Sequence, residues 1–169
     1  GWVDPVFLPG PGAVLARLSP AKPRGKKPAA PKVLHSWPSL LGEQARLLAG
    51  TLDGSAEGAP LLVLDAPSLF DRAGGPYGDP AGRDWADNWQ RYAALARAAA
   101  DIAGGAVEGL GFDLLHAHDW QAGLAPAYLR FAPYGGPSGK AAVPSVITIH
   151  NMAFQGHFGA DIFPRLGLP

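Results

Sequence analysis

Cysteine is absent from the 169 residues, which removes disulfides, thiolate-bound zinc, iron–sulfur clusters and thiol nucleophiles together. An excess of either charge is absent as well, since 14 Lys+Arg stand against 14 Asp+Glu. A balanced chain has no overall electrostatic claim on nucleic acid or on an anionic membrane. No apolar run reaches the ~18 residues that cross a bilayer, and Gly1 to Gly10 lack the charged-then-apolar layout of a secretory signal. These absences lead to the expectation of a cytoplasmic protein. Glycine (23) and proline (18), by contrast, make up roughly a quarter of the chain, so long loops are expected. Hydrophobic residues at 47% still suffice to fill a core of one domain at most. A chain that begins at Gly1 and stops at Leu168-Pro169 without a polar tail is expected to be a piece of a longer protein.

Charge is local rather than global. Lys22, Arg24, Lys26, Lys27 and Lys32 fall among prolines between Ala21 and Lys32 with no acid between them, which forbids a helix or a central strand. No aromatic residue interleaves that block for base stacking, so it reads as a solvated loop rather than a nucleic-acid patch. Leu40 to Leu52 is weakly amphipathic or strand-like. Leu61 to Leu64, stopped by Asp65-Ala66-Pro67, reads as a strand buried on both faces. Trp85, Trp89, Tyr92, Leu95, Ala96, Ala99 and Ile102 recur at helical steps after an N-cap at Asp84 or Asp87, and Gly104-Gly105 ends the run. Phe112 to His116 is the next short strand. Gln121 to Phe131 is a helix that Pro126 kinks or delays, and Ser145 to Ile149 is a β-branched strand ending at His150. Strand, helix, strand, helix, strand predicts an α/β domain, a doubly wound parallel sheet.

In such sheets ligands bind beyond the carboxyl ends of the strands. His116-Ala117-His118-Asp119-Trp120 ends one predicted strand and His150-Asn151 ends the next, so neighbouring strands would open both clusters into one crevice. Taken singly, a strand-end His is often just bonded to a loop, and Asp119 could be no more than the N-cap of the Gln121 helix. Two polar clusters on successive strand ends favour a site. The loop Ala73 to Pro80, with Tyr77 among glycines, could close over a ligand. It matches neither the dinucleotide nor the phosphate-loop pattern and on its residues alone reads rather as a structural turn.

These residues carry a resemblance. Leu61 to Tyr77 (LLVLDAPSLFDRAGGPY), Asp87-Asn88 with Arg91-Tyr92, His116 to Tyr128 (HAHDWQAGLAPAY), Thr148 to Gly156 (TIHNMAFQG) and Leu166 to Pro169 resemble, in order and spacing, the N-terminal catalytic domain of bacterial-type glycogen (starch) synthases. HAHDW and TIHN-x-A-x-QG together are highly specific. Phe7 to Val14 resembles the family's strand and proline turn, while residues 21–32 look like an insertion.

The resemblance implies residues 1–169 to be part of the N-terminal lobe of a GT-B glycosyltransferase, with the C-terminal nucleotide-binding lobe absent. It also implies retaining transfer of glucose from ADP-glucose to the non-reducing end of an α-1,4-glucan. His150 and Asp119 would be catalytic; Tyr77, Asn151 and Gln155 would bind substrate; neither metal nor other cofactor would be needed. Two alternatives remain from the residues themselves. His116-x-His118 could hold a metal for a hydrolase, with Asp119 or His150 completing the site, or the chain could bind glucan without turnover.

Overall fold

The computed structural model describes residues 32–51, 60–135 and 143–169. The basic block of residues 21–31 and the Phe7 to Val14 likeness therefore lie outside the described residues. The chain forms two compact units: one gathers Leu40–Gly42 with Ala86–Pro169, the other the remaining described residues up to Trp85.

In the second of these, strands β1 (Lys32–Leu40), β2 (Glu43–Thr51) and β3 (Pro60–Asp65) form a sheet in that order. The two residues between β1 and β2 leave room only for an antiparallel hairpin. Leu41 (φ 50) and Gly42 (φ 93) both sit in the left-handed region, as a type I′ turn requires. A leucine there is strained by ~1–2 kcal/mol, and its surroundings hold it: Gln90 Nε2 donates to the Leu41 carbonyl at 3.0 Å. β3 pairs antiparallel with β2, Leu48 opposite Val63. Leu47 and Val63 are almost completely buried, each worth roughly 1.5–3 kcal/mol of apolar transfer. Asp65, buried at the end of β3, is held by the Arg46 guanidinium directly across the register.

Here the sequence expectation is corrected. Leu61 to Leu64 is a buried strand, but it pairs antiparallel with β2 and not with the strands that follow in the chain. The preceding stretch, Glu43–Thr51, is itself a strand and takes β3 as its antiparallel neighbour.

After the short helix α1 (Pro67–Phe70), a loop runs from residue 71 to 87. Within it Asp79 Oδ1 accepts the backbone N–H groups of Ala81 and Arg83, and Asp79 Oδ2 takes both Arg83 Nε and Nη2. The Trp85 N–H donates to the Tyr77 carbonyl at 3.0 Å. A Cβ on Gly78 would stand 2.6 Å from the Arg83 carbonyl oxygen, so only glycine lets the two arms approach. The Gly-rich segment is a pinned turn.

The other unit is built on helix α2 (Asn88–Ala103). Alanine, the best helix former, supplies much of it, and Ala93, Ala94, Ala96, Ala98 and Ala100 are all buried. It starts later than Trp85, with Asp87 at the N-cap position but no side-chain capping bond. Its end is as expected from Gly104-Gly105: the Gly105 and Ala106 N–H groups donate back to the Ile102 and Asp101 carbonyls, with Gly105 at φ 99.

Strand β4 (Leu115–His118) follows, then α3 (Asp119–Ala122) and α4 (Ala125–Phe131), so the single predicted helix is two. Pro126 occupies the first turn of α4, where its missing N–H costs nothing, and the break falls just before it. β5 (Ser145–Thr148) runs parallel to β4, with His116 opposite Val146 and His118 opposite Thr148. A 3-10 helix, Ala160–Arg165, closes the chain. Leu115, Ala117, Ala122, Ala125, Tyr128 and Leu129 pack with α2 into one core. Among the described residues no helix is long and apolar enough to cross a membrane.

Candidate active site

Alternation along β4 decides what faces where. Leu115 and Ala117 point into the core, so His116 and His118, two residues apart, share the opposite face. Pairing with β5 begins only at Leu115, whose N–H donates to the Pro144 carbonyl, so the strand runs to His118 rather than ending at His116. Parallel pairing brings the ends of β4 and β5 side by side, and the two polar clusters meet there.

Asp119 is the first residue beyond β4 and has φ 54, the left-handed region that aspartate tolerates better than most non-glycine residues. Its carboxylate caps no helix. Instead Asp119 Oδ1 accepts the backbone N–H of His150 at 2.7 Å, and Asp119 is the first residue of α3 rather than the N-cap of a helix from Gln121. The His150 ring reaches back to β4, its Nε2 lying 2.9 Å from His118 Nδ1 with the rings only 11° from parallel. His116 stacks on His118 with centroids 4.2 Å apart, while its Nε2 lies 2.7 Å from Thr148 Oγ1. Two catalytic candidates, His150 and Asp119, are thus in direct contact.

The other predicted residues fare differently. Asn151 and Gln155 lie on the loop after β5 and serve that loop: Asn151 Oδ1 accepts the Ala153 N–H at 2.9 Å, and Gln155 Nε2 donates to the Met152 carbonyl at 2.8 Å. Gln155 Oε1 also meets His157 Nε2 at 3.1 Å. Both side chains are exposed and keep further donor and acceptor capacity for a ligand. Tyr77 belongs to the other compact unit, where its ring is exposed on the pinned turn.

Sequence reasoning missed the packing that fixes the loop. Gly156 (φ 62) lies on the Trp120 indole so closely that a Cβ there would stand 2.2 Å from Trp120 Cε3. Tyr92 meets the same indole edge-on at 4.9 Å, and Phe158 lies at 5.8 Å. An apolar groove of about 430 Å³ adjoins this contact, lined by Trp89, Tyr92, Trp120, Gln155, Phe158 and Phe163. The Trp-x-x-x periodicity of α2 and the QG pair were visible in sequence. That they meet was not, because the contact crosses from the helices to a loop.

The metal-hydrolase alternative does not fit this arrangement. Among the described residues no group of three or more His, Asp or Glu is disposed to hold a metal ion. Nε2 of His116 is engaged by Thr148 and Nδ1 of His118 by His150, so one nitrogen of each imidazole is already committed to a protein partner.

Comparison with known proteins agrees with the geometry. The chain is 62% identical over 163 residues to a glycogen synthase of Novosphingobium aromaticivorans, covering 96% of this chain and 30% of that protein. It is 47% identical over 169 residues to a glycogen synthase of Mesorhizobium japonicum, covering 98% of the chain and 32% of the relative. The chain therefore spans about a third of the length of these relatives. The fold is similar to the catalytic domain of starch synthase IV from Arabidopsis thaliana, solved with ADP and acarbose, at TM-score 0.58 and 23% identity over 84% of this chain and 26% of that one. A match to the starch synthase catalytic domain extends over residues 6–169, and the chain belongs to that family.

Proposed function

We propose that this chain contributes one lobe of the active site of a cytoplasmic glucosyltransferase that moves glucose from ADP-glucose to the non-reducing end of an α-1,4-glucan with retention. The carrying observation is the contact of Asp119 with His150 at the paired ends of β4 and β5, within motifs of the family. The glycogen synthases it resembles, and the ADP and acarbose held by the Arabidopsis domain, support a nucleotide-sugar donor and a glucan acceptor. In this reading residues 1–169 are part of the N-terminal lobe of a GT-B enzyme, whose doubly wound parallel sheet β4 and β5 would begin. A second lobe would supply cations for the departing ADP.

Sugar hydroxyls need paired donors and acceptors, and the exposed rim of His150, Asn151 and Gln155 offers them. Tyr77 is proposed as a substrate contact on the family resemblance alone. Asp119 would hold the His150 backbone in place while its second carboxylate oxygen faces a hydroxyl. Charge accumulates on the leaving diphosphate, so positioning of the acceptor is the larger contribution of this lobe.

The test uses the Novosphingobium enzyme with its matching segment replaced by this chain. ADP release from ADP-glucose with glycogen is expected, and His150→Ala in the graft should lower kcat by at least ~100-fold with little loss of melting temperature. A well-folded graft that releases no ADP, or a His150→Ala variant with full activity, would sink the proposal.

A further inference from the structure

Resting on the reading of His150 as catalytic, we infer that His118 is the residue that positions it, by sharing one proton along the 2.9 Å line between His118 Nδ1 and His150 Nε2. Two ring nitrogens at that distance hold together only when one carries a hydrogen and the other does not. The contact therefore couples the tautomers of the two rings. It also uses up His150 Nε2, so that Nδ1 is the nitrogen left to meet a substrate. The His150 main chain is tied separately, by Asp119, leaving little freedom to the residue as a whole. His118 is itself steadied: it lies on β4 between the His116 ring, 4.2 Å away, and the His150 ring, 5.2 Å away, and His116 is anchored to Thr148 of β5. None of this is needed for the core, which Leu115 and Ala117 fill from the other face of the strand.

The experiment places variants in the grafted full-length enzyme. His118→Phe keeps a flat ring of similar size without a nitrogen and is expected to lose on the order of 100-fold in kcat while KM stays nearly constant. His118→Asn, whose amide reaches the place of Nδ1, is expected to recover most of the loss; His118→Gln, whose amide reaches the place of Nε2, is not. Wild-type kcat in His118→Phe, or equal activity of the Asn and Gln variants, would overturn the inference. Should the Phe variant fail to fold, the Asn and Gln pair decides alone. A fully active His150→Ala would instead refute the catalytic reading of His150. An inactive His150→Ala beside a normal His118→Phe refutes only the positioning.

Discussion

Asp119 combines a left-handed backbone with a carboxylate that holds another residue's N–H, and substitutions separate the two demands. Asn tolerates φ 54 and keeps an oxygen acceptor, so Asp119→Asn is expected to melt near the wild type while losing activity through its missing charge. Asp119→Ala keeps neither feature and should cost ~1–2 kcal/mol more than Asn, read from paired thermal melts; equal melting temperatures would show that neither feature matters to the fold. Tyr128 makes a different prediction. Its buried hydroxyl donates to the Leu166 carbonyl at 2.7 Å, and burial pushes its pKa up to about 12. A folded pKa above the ordinary value of 10 means stability that is fully present below pH 10 and lost as pH rises toward 12, by at most about 3 kcal/mol. Tyr128→Phe should be less stable by ~1 kcal/mol at neutral pH and lose this alkaline decline, which melts at stepped pH would reveal.

At the scale of elements, the pinned turn between α1 and α2 depends on Asp79. Backbone and guanidinium donors of Arg83 hold its carboxyl below the usual carboxylate range. A depressed pKa of this kind contributes order above the ordinary value and loses it as pH falls through the folded one. Asp79→Ala should therefore be cut faster than the wild type by trypsin after Arg83 at neutral pH. An unchanged rate would mean that glycine geometry alone holds the turn. Elements of this kind differ in how plainly the chain announces them. α2 was legible because its apolar repeat and terminal Gly104-Gly105 are local signals, and the β4 and β5 motifs likewise. Pro126 marked a break whose form only packing decides. The hairpin was obscure because β1 and β2 carry few apolar residues in strict alternation and turn on Leu41, a residue that no turn rule favours. The meeting of Asp119 with the His150 N–H was legible in location but not in role: an aspartate before a helix looks like a cap, and only the partner strand shows otherwise.

For the molecule as a whole, the chain's share of about 30% of its Novosphingobium relative sets the expectation for its isolated behaviour. On the proposed reading, the chain assayed alone should release no measurable ADP from ADP-glucose, while the grafted enzyme does, because a cleft of two lobes would lose both positioning and charge stabilisation when only one is present. Turnover by the isolated 169 residues would relocate the site entirely within them. Val146, Ile147 and Ile149 stand exposed around β5, so a sizing run should accompany that assay. The Gly156 contact reaches further, into how such a sequence can drift. Every missense change in a glycine codon adds a Cβ, and at this position the Cβ meets the Trp120 indole. Gly156→Ala should cost roughly 1–3 kcal/mol and shift tryptophan emission, whereas the same change made after Trp120→Leu should cost clearly less. The two positions are then coupled in mutational order: a path that changes Trp120 first is the less costly one, and the left-handed backbone of Gly156 keeps a residual penalty on either.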